Sequence, residues 1–190
     1  MKIPLINRIK RENHRQLAVA QDIIVEAVYK FIPFSVLHGG TAIWRCYSGR
    51  RFSEDLDFYF PEEKTKIKML FGSLQKEGFE IRKKKISERS VYSELVYNRI
   101  SVRIEATFQK VKGQLVDYEK IDGNVISIYS LTPEDIIKEK IETYLKRKKI
   151  RDLYDIFFLL KLVSDFGLVQ NSLRSLIEKS AKELGKALPE

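Results

Sequence analysis

His38-Gly39-Gly40-Thr41-Ala42-Ile43-Trp44-Arg45, followed shortly by Arg51-Phe52-Ser53-Glu54-Asp55-Leu56-Asp57-Phe58, decides how this chain is read. Ser35 to His38 is a short apolar strand candidate, and Thr41 to Cys46 contains no breaker, so it predicts a helix capped near Thr41. Two glycines between a strand and a helix let the backbone approach a ligand closely, with amides and the helix N-terminus aimed at an anion. The same pair also serves as an ordinary tight turn. Asp55 and Asp57 lie two apart in a β-rich run, so both carboxylates share one face with Tyr59 while Leu56, Phe58 and Phe60 point to the core. An exposed acidic strand start is the plainer alternative. Like charges this close repel and Asp is a poor strand former, so a positive partner is expected between them. Carboxylates placed in this way can share oxygen ligation of one or two Mg²⁺ ions.

Working outward, Leu17, Ala20, Ile23, Ile24, Ala27, Val28 and Phe31 recur at helical spacing, predicting an amphipathic helix over Glu12 to Phe31 that Pro33 ends. Pro61 opens a further helix reaching about Lys76, with Gly78 as its stop. Phe79 to Tyr129 is rich in Ile, Val, Tyr and Phe, alternates in Ser101 to Phe108, and carries turn signals at Lys112-Gly113 and Asp122-Gly123. It predicts several antiparallel strands. If the strand around Glu105 pairs beside Asp55 to Phe60, Glu105 can complete a metal cage or serve as a base on an attacking hydroxyl. Glu105 as a plain solvent-facing residue is the competing reading. Thr132-Pro133-Glu134-Asp135 signals a helix start, and the chain then reads as helical to Leu184 with breaks near Lys149 and Gly167. The order predicts an α+β fold in two parts: an α/β core over 1–130 and a C-terminal helical region, a bundle, over 131–190.

Composition narrows the classes. The chain has 190 residues, 44% of them hydrophobic, with eleven Phe, nine Tyr and one Trp, enough to bury a core. No apolar run approaches a membrane span, and Met1 to Arg15 has no apolar heart of a secretory signal, so a cytoplasmic protein is expected. The lone Cys46 excludes an intrachain disulfide, and with only His14 and His38 beside it a structural zinc site is not supported. The net charge of +9 suits a polyanionic partner, and equally suits a lysine-rich proteome whose proteins carry many surface ion pairs.

The two quoted stretches resemble the first motif of the AbiEii/AbiGii toxin family, a branch of the DNA polymerase β nucleotidyltransferase superfamily. The second half agrees: Leu131-Thr132-Pro133-Glu134-Asp135 leads to Lys138-Glu139-Lys140 and then to Arg151-Asp152-Leu153-Tyr154-Asp155, similar to that family's lysine-bearing helix and Arg-Asp-x-x-Asp helix. The resemblance implies a polymerase β-like mixed sheet flanked by helices, with the helical region completing the site. It implies that Gly39, Gly40 and Thr41 hold the phosphates of an NTP, with Arg45, Arg51 and Ser53 as further phosphate contacts. It implies Asp55 and Asp57 as Mg²⁺ ligands, joined by Glu105 where the wider superfamily more often has Asp. Lys140 would meet the triphosphate and Asp155 would orient that lysine or the nucleotide, while Asp152 is read as a helix cap.

Of the two densest cation runs, Arg82-Lys83-Lys84-Lys85 reads as a solvated face and Lys146-Arg147-Lys148-Lys149 as an RNA contact. The expected function is metal-dependent transfer of an NMP from an NTP to an acceptor hydroxyl, with a tRNA 3′ end as acceptor and an antitoxin as partner. Nucleotidylation of a protein or small molecule, and a non-catalytic RNA-binding module, are the alternatives.

Overall fold

The computed structural model describes residues 3–61 and 64–187. Apolar residues spaced three and four apart place Leu17, Ile24, Val25 and Val28 of helix α2 (Glu12–Phe31) in the core, behind the short α1 (Leu5–Arg8). Strand β1 (Val36–His38) runs straight into α3 (Gly39–Cys46). That helix begins at Gly39, two residues before the expected cap, because Thr41 turns inward and the N-cap position falls on His38. Strand β2 (Leu56–Phe60) alternates buried Leu56, Phe58 and Phe60 with half-buried Asp57 and Tyr59, as its period-two pattern requires. Helix α4 covers Lys64–Lys76 and stops at Gly78, whose φ of 94° is left-handed. The turn at Pro61 was expected to open this helix, but Glu62 and Glu63 lie outside the described residues.

Five strands follow: β3 (Glu80–Ile86), β4 (Ser90–Tyr97), β5 (Ile100–Phe108), β6 (Gln114–Glu119) and β7 (Val125–Ser130). Among the described residues they join β1 and β2 in one sheet of order β3-β4-β5-β2-β1-β7-β6. The expectation of antiparallel pairing holds for β3–β4, β4–β5 and β6–β7 but not throughout, since β5 runs parallel to β2 and β7 parallel to β1. Parallel pairs need a crossover, supplied by α4 and the β3–β4 hairpin in one case and by α3 through β6 in the other. The run Arg82–Lys85 lies on the edge strand β3, where exposed cations discourage further strand pairing.

The chain divides into two units, Met1–Ser130 and Leu131–Glu190. The second is helical: α5 (Pro133–Arg147), α6 (Ile150–Leu159) with a 3₁₀ turn at Leu160–Leu162, and α7 (Gly167–Ala187). The Thr132 hydroxyl accepts from Asp135 N at 3.1 Å, Pro133 occupies the first turn, and Lys148, left-handed at φ 52°, ends α5. Buried Glu134 reaches on to the loop after α6, accepting from Ser164 N at 2.7 Å and Ser164 Oγ at 2.9 Å.

Candidate active site

Gly39 is the hinge between β1 and α3, with φ of 71°, and a Cβ there would stand 3.0 Å from Asp57 Cγ and closer still to its Oδ2. Only glycine fits a left-handed position with a carboxylate pressed against it. Gly40 is equally confined, since a Cβ would meet Ser53 Oγ at 2.5 Å and Arg51 Nη2 at 3.0 Å. The expected phosphate turn therefore has Asp57, Arg51 and Ser53 gathered on it. The loop is shaped by α2, whose buried Gln21 donates to Ser53 O at 2.9 Å and Glu54 O at 3.0 Å.

Across the sheet, His38, Asp57 and Glu105 are in register on β1, β2 and β5. Neighbours in register on a sheet share a face, so the third acid stands beside the second. Tyr59 continues that face and stacks on His38, ring centres 4.1 Å apart. Asp55, just before β2, has its carboxylate clasped by Arg103 of β5, with Nε to Oδ1 and Nη2 to Oδ2 both 2.8 Å. A positive partner was expected between the two aspartates; the guanidinium found here meets both oxygens of Asp55. Sequence reasoning missed it, although Arg103 stands two residues before Glu105 in an alternating strand and so shares its face.

The donor chemistry fits a hard divalent cation: carboxylate oxygens, two of the carboxylates on adjacent in-register strands. The expected cage of Asp55, Asp57 and Glu105 is nevertheless not gathered, and no group of three or more His, Cys, Asp or Glu able to hold a metal ion occurs among the described residues. The reason is visible at Asp55, both of whose oxygens are turned to Arg103.

Two further expectations are corrected. The Thr41 hydroxyl is fully buried and donates to Asp55 O at 2.5 Å, so it ties α3 to the approach of β2 instead of facing a phosphate. Arg45 is 1% exposed, packed between the rings of Trp44 and Tyr118 at 4.7 Å from each centre and paired with Asp22. Asp22 in turn accepts from Tyr118 Oη at 3.0 Å and Ile121 N at 2.7 Å. Burial raises the Tyr118 pKa to about 12 although Arg45 pulls against it. Arg45 is a core bolt between α2, α3 and β6, out of reach of a nucleotide.

In the helical unit, Lys140 Nζ lies 2.9 Å from Asp155 Oδ2 and 3.6 Å from Asp152 Oδ1. Asp152 is not the expected cap: it sits inside α6, fully buried, held by Arg147 Nε at 2.8 Å and Nη2 at 2.7 Å. Burial by itself would raise its pKa, but the Arg147 hydrogen bonds and the charges of Lys140, Arg147 and Arg151 outweigh it and hold the carboxyl below its ordinary value. Arg147 is thus spent on structure, while Lys146 and Lys148 line a cavity of about 490 Å³ with Lys179 and Lys182 of α7. The two α7 lysines escaped sequence reading because their partners lie more than thirty residues away.

The model of the family "Nucleotidyl transferase AbiEii toxin, Type IV TA system" matches residues 26–190. Among curated proteins, none matches the chain. Among solved structures, JHP933 from Helicobacter pylori superposes with a TM-score of 0.55 at 21% identity, over 76% of this chain and 66% of that one. ANT(2'')-Ia in complex with adenylyl-2''-tobramycin gives 0.55 at 14%, over 86% and 98%. The Megavirus polyadenylate synthase gives 0.51 at 16%, over 77% and 34%. The chain thus spans about two thirds of JHP933 and one third of the viral enzyme. Likeness at this identity shows a shared fold alone.

Proposed function

The chain belongs to the AbiEii nucleotidyl transferase toxin family, and from that premise we propose that it moves an NMP from an NTP to the hydroxyl of an RNA, a tRNA 3′ end, as the toxin of a pair with an antitoxin protein. The observation that carries the transfer chemistry is the register of Asp57 with Glu105, set against a helix-initiating glycine turn. The amides at Gly39 and Gly40 donate to the phosphates, and Arg51 beside them adds charge. Asp57, with Asp55 once released by Arg103, would hold Mg²⁺, which would supply neutralisation of charge on the transferring phosphoryl group. The acceptor oxygen forms a bond to the α-phosphorus in line with the breaking bond to the β-phosphate bridge oxygen. Glu105 takes the acceptor's proton and pyrophosphate leaves, while by family resemblance Lys140, oriented by Asp155 within the helical unit, is the residue proposed to contact the triphosphate.

RNA as acceptor is supported by the net charge and by the four-lysine cavity in the helical unit. A second reading has its own observation. A cavity of about 310 Å³ beside Asp55 is lined by Glu54, Glu94, Tyr92, Ser101 and Arg103, an acidic lining that suits a cationic, hydroxyl-bearing small molecule. Incubation with each α-labelled NTP, Mg²⁺ and total RNA decides between them. Label on RNA, absent with Asp57→Ala, supports the main reading. Label that survives Asp57→Ala defeats it, and label that survives nuclease on protein or on a small molecule moves the acceptor.

A further inference from the structure

The structure assigns a second nucleotide pocket to the N-terminal segment, on the opposite side of the 50–53 loop from the glycine turn. It is a cavity of about 390 Å³ whose walls include Arg8, Lys10, His14, Trp44, Arg50 and Phe52. That volume falls in the range of small-ligand sites and accommodates one nucleotide. None of its described lining residues is a carboxylate.

The loop is two-sided. Arg51 and Ser53 lie against Gly40, whereas Arg50 and Phe52 line the cavity. The aromatic wall is already assembled: His14 stacks on Phe52 with ring centres 4.1 Å apart and planes within 10°, and Trp44 tilts against Phe52 at 4.5 Å. The floor is fixed by Leu5 and Ile9, buried with Trp44, Ala18 and Ile121, and by Ile6 N donating to Ile121 O at 2.9 Å. Arg8 is partly engaged by Glu119, while Lys10 and Arg50 are exposed.

A flat half-buried stack flanked by exposed cations and no acid suits a ligand with a flat ring at one end and a phosphate at the other. A nucleotide has both: its base extends the stack and its phosphate meets Lys10 and Arg50. The walls at residues 5–14 precede the family match, which begins at residue 26. The pocket rests neither on the metal carboxylates nor on Lys140. A free mononucleotide and one nucleotide of an RNA strand share this chemistry.

Trp44 is the only tryptophan of the chain, so its fluorescence reports the pocket directly. The full chain, without NTP or divalent metal, is titrated with AMP, with a single-stranded RNA trinucleotide, and with the same trinucleotide made abasic at its centre. We expect saturable quenching by the intact trinucleotide, at least tenfold weaker binding by the abasic one, and at least roughly tenfold weaker binding in Lys10→Gln/Arg50→Gln, whose circular dichroism stays unchanged. Quenching by AMP at comparable concentration identifies a free-nucleotide pocket, and quenching by the trinucleotide alone identifies a strand pocket. No saturable change with either, equal binding of the abasic strand, or undiminished binding by the double variant overturns the assignment. Asp57→Ala keeps the quenching even where it loses transfer, so the pocket and the transfer reaction stand or fall separately.

Discussion

At the scale of the residue, the Asp55–Arg103 pair is the site's most informative contact. Two of the guanidinium's N–H groups take both carboxylate oxygens, so any cation seeking Asp55 competes with a charge already in place. Arg103→Gln is expected to tighten Mn²⁺ binding several-fold by calorimetry. The pair is solvent-facing, so its loss should lower stability by no more than about 1 kcal/mol. Unchanged Mn²⁺ affinity would show that the guanidinium does not compete. At Gly39 the sign is reversed: Gly39→Ala places a side chain at φ 71° against Asp57. It should destabilise the first unit by about 1–3 kcal/mol in urea and abolish transfer together. For Lys140, Lys140→Ala is expected to lower kcat by about 100-fold or more while Lys140→Arg recovers part of it; equal loss in both would argue for a structural role beside Asp155. The glycine turn at Gly39-Gly40 and the shared face of Asp57 and Tyr59 were legible because period two and a glycine pair are local signals. Arg45 and Thr41 were misread, because a motif tells which residues cluster in sequence and not which way each turns.

At the scale of the element, the junction of α5 with α6 stands on Asp152. It joins Arg147 at the end of α5 to Lys140 about two turns earlier on the same face, all within the helical unit. Removing one partner of a buried ion pair leaves the others unmet, so Asp152→Asn should cost about 3 kcal/mol in thermal unfolding. The pH dependence follows from its depressed pKa. Asp152's stabilisation is fully present above its unfolded value near 3.8, and it is lost as pH falls through the lower folded value. Wild type should therefore lose this stability only in strong acid, whereas Asp152→Asn should show a flatter stability curve there; coincident acid limbs for the two proteins would contradict the assignment. Helix limits at Thr132, Gly78 and Lys148–Lys149 were readable because caps and breakers are local chemistry. The parallel pairing of β5 with β2 was not, since alternation looks the same in either direction.

At the scale of the whole molecule, the charge of +9 is distributed with purpose only in places. Arg45, Arg103 and Arg147 are consumed by Asp22, Asp55 and Asp152, leaving the lysine cavity of the helical unit as a concentrated surface for a polyanion. RNA affinity should fall steeply with salt, and replacing Lys146, Lys148 and Lys179 by Gln should reduce the slope of log K against log salt by about 2. An unchanged slope would move the RNA elsewhere. No helix among the described residues is long and apolar enough to cross a membrane. The sequence alone determined the α+β class, the glycine turn, the acidic strand and the lysine- and aspartate-bearing helices, and through them the family. Each of these is written in spacing over a few residues, where backbone geometry dictates which side chains share a face. Only the tertiary structure decided that Glu105 neighbours Asp57, that Arg103 holds Asp55, that Arg45 is core and that residues 5–14 close a pocket over Phe52. Those contacts join residues from roughly twenty to seventy positions apart, and strand register and core packing, the interactions that select them, act only once the chain has folded.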